Sequence, residues 1–124
     1  MKIILFIGLG GFFGAISRYF ISLFLQNGIT QSFPIGTLGV NILGSFLIGF
    51  LALYFEQISS PYYKVMVITG FLGALTTFST FSFETIMLIE KGYLLKAIFS
   101  ISLNLILSLS ATLLGMAIFK KYFM

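Results

Sequence analysis

Three long stretches of this chain carry no charged side chain: Tyr19 to Phe55, Val65 to Phe83 and Ala97 to Phe119. A helix crossing the hydrocarbon of a bilayer needs roughly 20 apolar residues to cover about 30 Å. The first stretch is too long for one span and holds a turn signal inside it. Charged residues occupy only 8% of the 124 positions and hydrophobic ones 59%, whereas a soluble domain carries about 25% charge. Such side chains cannot clothe a water-facing surface, so the chain reads as an integral membrane protein.

The same composition excludes most chemistry. Cysteine is absent, which removes disulfides, thiol catalysis and thiolate metal sites. Histidine is absent too, and with it the commonest general base and metal ligand. Acid–base work would fall to Glu56, Glu84 and Glu90 alone, so no enzyme is expected. The net charge of +4 sits mostly at helix ends, where basic side chains meet lipid head groups, and implies no nucleic acid. Lys2 followed by an apolar run looks superficially like a secretion signal. The run passes Gly10 and Gly14 without a small-residue cleavage site, and more apolar sequence follows Arg18. It reads as the first span.

Turn chemistry divides the chain into four helices within one transmembrane domain, residues 1–124. Helix one covers about 3–25 and ends at Gln26-Asn27-Gly28-Ile29-Thr30-Gln31-Ser32 ahead of Pro34. Helix two covers about 35–55 and is closed by Ser59-Ser60-Pro61. Helix three covers about 62–89 before Glu90-Lys91-Gly92, and helix four about 94–119 before Lys120-Lys121. Four spans place both termini on one side, with Lys2, Lys64, Lys120 and Lys121. The other side holds Lys91 and Lys96, with Arg18 if it reaches that interface. The positive-inside rule needs a clear bias, and four against two or three supplies none. Gly10 and Gly14, and Ser45 and Gly49, have the small-xxx-small spacing that lets membrane helices approach. Within one subunit or between two, such spacing in so short a chain favours an oligomer.

Polar residues recur at helical spacing. Thr37, Asn41 and Ser45 lie on one face of helix two at i, i+4 and i+8, and Ser100, Asn104 and Ser108 repeat the pattern on helix four. An unsatisfied amide in hydrocarbon costs several kcal/mol, so Asn41 and Asn104 must face protein or water. Asn41 is either an anion donor or one end of an interhelical hydrogen bond. Helix three carries Gly70-Phe71-Leu72-Gly73-Ala74-Leu75-Thr76-Thr77-Phe78-Ser79-Thr80-Phe81-Ser82 near mid-membrane. Two glycines and five hydroxyls admit a broken helix with exposed carbonyls, or an intact one whose hydroxyls bond the preceding turn. Phe78 and Phe81 share a side at i and i+3. They are packing residues or, through the positive ring edge, anion contacts. Arg18 and Glu84 are the charges placed within or at the edge of a span.

Three blocks, Gly10-Gly11-Phe12-Phe13-Gly14-Ala15-Ile16-Ser17-Arg18-Tyr19, Gly36-Thr37-Leu38-Gly39-Val40-Asn41-Ile42-Leu43-Gly44-Ser45-Phe46 and Gly73-Ala74-Leu75-Thr76-Thr77-Phe78-Ser79-Thr80-Phe81-Ser82, resemble the Fluc/CrcB fluoride-channel family. The resemblance extends over the whole chain. It implies an all-α antiparallel, dual-topology homodimer with a break in the third helix and two pores, exporting fluoride passively across the bacterial inner membrane. By that likeness Asn41, Phe78 and Phe81 line the fluoride path with Ser79 and Thr80 of the same block. Thr37, Ser100, Asn104 and Ser108 would continue it, and Arg18 and Glu84 would stand in the vestibules. Carbonyls of Gly73 and Thr76 from both copies would hold one structural Na+ on the dimer axis. The family often has Tyr and Ser on the helix-four track where this chain has Ser100 and Asn104. A small dual-topology drug exporter shares the size and layout, but it places a glutamate in its first helix and this chain has none there.

Overall fold

The computed structural model describes residues 1–29 and 32–124. Among the described residues, four segments are long and apolar enough to cross a membrane: Lys2–Ile29, Ile35–Gln57, Pro61–Glu90 and Leu94–Phe123. The described residues contain no strand. The protein is an all-helical, multi-pass membrane protein. Helix α1 is Lys2–Ile29 and α2 is Ile35–Gln57. The third span is composite, with one α turn, α3 (Pro61–Lys64), a π-helix (Val65–Leu72), a short α4 (Gly73–Leu75) and then α5 (Phe78–Glu90). Helix α6 is Leu94–Phe123.

Helix ends depart from the turn signals for identifiable reasons. Helix α1 runs past the expected Leu25 to Ile29 because Gln26 ties the helix end to the next helix instead of stopping it. Its Nε2 donates to the Phe33 carbonyl at 2.7 Å, and the Gly36 N–H donates to its Oε1 at 3.1 Å. Thr30 and Gln31 of the expected turn lie outside the described residues. Helix α5 closes as the Glu90-Lys91-Gly92 signal implied. Gly92 has φ +87°, its N–H donates to the Ile89 carbonyl and the Tyr93 N–H to the Leu88 carbonyl, the two-bond glycine cap of a helix C-terminus. Helix α6 continues to Phe123, so Lys120 and Lys121 fall in its last turn, where cations complement the negative end of the helix dipole.

Close backbone contacts hold the spans together. A Cβ on Gly10 would sit 1.9 Å from the Met66 carbonyl oxygen, and one on Gly14 2.2 Å from that of Phe71. Helix α1 is thereby seated on the π-helix. Gly49 faces the Thr112 carbonyl and Gly115 faces that of Phe46 in the same manner, which locks α2 to α6. Of the two readings of these spacings, the contacts at Gly10, Gly14 and Gly49 are the one within a single chain. Lipid offers no hydrophobic drive between helices, so such close packing does the work instead. A small core of Val40, Leu72 and Leu75 is flanked by Ile21, Leu47, Ile68 and Phe71.

Much of the surface is apolar. Leu5, Leu9, Phe12, Phe13, Phe20 and Phe24 of α1 are exposed, as are Leu105, Leu109 and Leu113 of α6. Soluble monomers rarely carry contiguous apolar patches beyond a few hundred Å². A bilayer or another protein surface is the solvent this exterior fits.

Candidate functional site

The site begins where the third span leaves helical geometry. Thr76 (φ −87°, ψ 156°) and Thr77 (φ −150°, ψ 122°) have extended backbone between α4 and α5. Backbone groups freed at membrane depth need partners, and Asn41 of α2 supplies them. Its Oδ1 accepts from the Thr77 N–H at 2.8 Å, and its Nδ2 donates to the Thr77 carbonyl at 3.1 Å. One side-chain amide thus grips both backbone groups of one residue. Thr77 also caps α5, its Oγ1 accepting from the Thr80 N–H at 3.2 Å. Helix α5 therefore starts in the middle of the Pro61–Glu90 span, with the positive end of its dipole at that depth.

Two carbonyls lose their usual partners. The N–H groups four residues after Gly73 and Thr76 belong to Thr77 and Thr80. These donate to Asn41 Oδ1 and Thr77 Oγ1 instead. Gly73 is exposed and Thr76 is half-buried. Oxygen donors of this kind suit a hard monovalent or divalent cation, so the residues fit the Na+ that the family resemblance implies. The sequence did not single out Thr77. The signal that could have found it is a threonine three residues before Thr80 at the start of a helix, a capping spacing.

The helix-four stripe divides. Asn104 is buried, accepts from Asn41 Nδ2 at 3.0 Å through Oδ1 and donates from Nδ2 to the Ser100 carbonyl at 2.8 Å. Ser100 is only 1% exposed. Its Oγ lies 3.5 Å from that of Thr85, which donates to the Phe81 carbonyl at 2.8 Å. Ser108 Oγ is buried with no hydrogen-bond partner among the described residues. It stands ready to donate.

A cavity of about 660 Å³ opens beside this network, and its lining includes Asn41, Gly73, Thr76, Phe78, Phe81 and Ser108. Asn104, Ser45 and Thr77 reach it as well. Phe78 and Phe81 have ring centroids 5.5 Å apart at an interplanar angle of 59°. Phe78 is 78% exposed and Phe81 half-buried, so neither ring belongs to the core of this chain. Ser100 and Ser79 do not line this cavity. Ser100 is packed between α5 and α6, and Ser79 Oγ lies 3.4 Å from Thr77 Oγ1.

A second cavity, of about 810 Å³, includes Thr37, Thr80, Glu84, Lys91, Tyr93 and Lys96 in its lining. Thr37 Oγ1 donates to Glu84 Oε1, joining α2 to α5. Lys96 Nζ sits 4.7 Å from the centroid of the Tyr93 ring and donates to the Ser32 carbonyl at 3.2 Å. Arg18 is half-buried on α1 and lines neither cavity.

The arrangement is a nearly uncharged polar track beside two aromatic rings in a chain of four apolar spans, and the chain is similar to known proteins over nearly its whole length. Residues 5–116 match the model of the CrcB-like protein, Camphor Resistance (CrcB) family. A protein of a Nitratiruptor species named fluoride-specific ion channel FluC is 54% identical over 122 residues, covering 98% of this chain and 95% of the relative. Proteins with that same name from a Sulfurovum species and from Shewanella pealeana are 52% and 48% identical over 121 and 117 residues. They cover 98% and 93% of this chain, and 96% and 94% of their own lengths. Because the family match runs over residues 5–116 and these relatives are about half identical over nearly the whole chain, the chain belongs to the CrcB-like family.

Proposed function

We propose that this protein conducts fluoride passively across the bacterial inner membrane. The observation that carries the reading is the track itself. Asn41, Phe78, Phe81 and Ser108 meet at one cavity in a chain whose relatives at about half identity are named fluoride-specific channels. An isolated ion in low dielectric costs tens of kcal/mol, and many modest partners can replace the water of a small anion in stages. Amide N–H, hydroxyl and positive ring edge are such partners. Conduction also requires that each site release the ion, which a fixed lysine or arginine at mid-pore would oppose. Larger halides accept weaker hydrogen bonds from such donors. Purified protein in liposomes should release trapped fluoride without any proton gradient, with chloride flux far smaller. Equal chloride flux, or dependence on a proton gradient, would sink the reading.

The functional unit is an antiparallel homodimer in which each pore draws residues from both copies. Its support is the open cavity beside Thr76 and the even Lys/Arg distribution. Gly73 and Thr76 carbonyls, brought from both copies to the two-fold axis, would hold a Na+ that neutralises the converging carbonyl dipoles and fixes the interface. The break between Leu75 and Phe78 is what frees these carbonyls, through the diversion of Thr77 N–H and Thr80 N–H. Dialysis of the purified dimer into sodium-free buffer with a bulky organic cation should lower its thermal stability, and sodium should restore it. A dimer equally stable in both buffers would remove the cation from the proposal.

The second cavity serves as the vestibule. Glu84 and Thr37 form its inner wall, while Lys91 and Lys96 raise the local anion concentration at its mouth. Thr80 marks the point where α5 turns from vestibule to pore. Arg18 lines neither cavity, so a vestibule role would require its side chain to reach in from α1.

A further inference from the structure

The Asn41 side chain has two N–H donors, and both are committed. One goes to the Thr77 carbonyl and the other to Asn104 Oδ1. An anion in the pore can therefore be bound by Asn41 only if one bond is exchanged. The two bonds are not equivalent. The contact with Thr77 is half of a two-bond grip on backbone and holds the start of α5 in place. The contact with Asn104 joins two side chains in the wall of an open cavity.

Asn104 is itself held. Its Nδ2 donates to the Ser100 carbonyl on its own helix, which fixes the amide so that Oδ1 faces Asn41. A flipped Asn104 would set one NH2 group against another. The acceptor is thus oriented by α6 and does not need the ion.

We infer that Asn104 is a positioning residue for the fluoride path: its Oδ1 holds one Asn41 N–H between ion passages and yields it to the arriving anion. The inference rests on the fluoride-path reading given above. Its physical content is an exchange of one hydrogen bond for another. A buried donor left unpaired is costly, whereas swapping acceptors changes little. With Asn104 present, the empty and the occupied states of Asn41 are both satisfied, so the site binds weakly and releases. Without it the empty state leaves a bare N–H, and the anion is held more tightly.

The test is the dependence of single-channel current on fluoride concentration. Asn104→Ala should lower the half-saturating fluoride concentration roughly tenfold, the size of one freed hydrogen bond, and lower the maximal current with it. Asn104→Asp, assayed at alkaline pH so that the carboxylate is ionised, should hold the N–H more firmly and raise the half-saturating concentration. Opposite shifts support the exchange. Maximal currents that fall in both variants with half-saturation unmoved, or shifts of the same sign, overturn it and leave Asn104 a packing residue. Asn41→Ala separates the two layers of argument, because unchanged half-saturation in that variant removes Asn41 from the path whatever Asn104 does. If Asn104→Ala does not form a folded dimer, the wild-type protein carries the test. Among the asparagines Asn27, Asn41 and Asn104, fluoride titration should move the side-chain amide resonances of Asn41 and Asn104 together. Movement of Asn41 with Asn104 fixed overturns the exchange.

Discussion

Phe78→Ile and Phe81→Ile should each slow fluoride efflux from liposomes by roughly tenfold, the equivalent of about 1.4 kcal/mol and near the upper end of aromatic-edge interactions. Isoleucine retains the apolar bulk and removes the ring quadrupole. The first turn of α5 loses little helix propensity by the exchange, and Phe78 contributes nothing to the core because it is 78% exposed. The folded dimer should accordingly survive, as size-exclusion profiles would show. The two rings lie 5.5 Å apart and line the same cavity as Asn41. On the proposed path, an ion leaving Asn41 would meet one of these rings next. Replacement by tyrosine, which keeps the positive edge, should be milder than replacement by isoleucine. Unchanged efflux in both isoleucine variants would return Phe78 and Phe81 to plain packing.

What the sequence could disclose followed from how local each feature is. Charge-free runs and the turn signals between them locate the four spans, because exclusion of charge from hydrocarbon and turn chemistry both act residue by residue. Helix ends were less legible. Gln26 has the composition of a turn, yet it bonds Phe33 and Gly36 ahead of it and leaves α1 free to continue. The π-helix at Val65–Leu72 left no trace in the pattern, because a span apolar on every side gives no phase against which a change of period can be read. In the structure it lies where Gly10 and Gly14 bring α1 against the backbone of Met66 and Phe71.

The site divides along the same line. Asn41 and Asn104 stood out as amides that hydrocarbon must not meet, and each does have partners. Which partners they have depends on pairings 36 and 63 residues apart. No spacing rule reaches that far. The Ser100, Asn104, Ser108 stripe shares one helix face in the sequence but not one role. Ser100 is packed against Thr85, Asn104 is joined to Asn41, and only Ser108 presents an uncommitted hydroxyl.

Two or three lysines added to one terminus should abolish fluoride flux in cells expressing that variant alone, and co-expression with an oppositely biased variant should restore it. The native chain carries Lys2, Lys64, Lys120 and Lys121 toward one side, and Lys91 and Lys96 toward the other with Arg18 if it reaches that interface. With so small a difference, cytoplasmic retention of basic residues cannot enforce one orientation, and equal insertion both ways supplies inverted partners from a single chain. A two-fold axis in the membrane plane would then bring the same surface of each copy together. The surface suited to it is the open cavity with Gly73, Thr76 and Phe78 in its wall, where the exposed ring and the two carbonyls without their i+4 donors would gain neighbours. The glycine seams cannot serve, since Gly10, Gly14, Gly49 and Gly115 are already occupied within the chain. Extra lysines bias insertion without touching that face, so the singly oriented variant should accumulate in the membrane yet lack a partner of the right hand. Mixing the two biased variants restores the pairing, and efflux should return with the amount of the scarcer one. Full flux from one biased variant alone would mean a parallel or monomeric functional unit. Phe78, Phe81 and Asn41 would then have to form the whole path within a single chain.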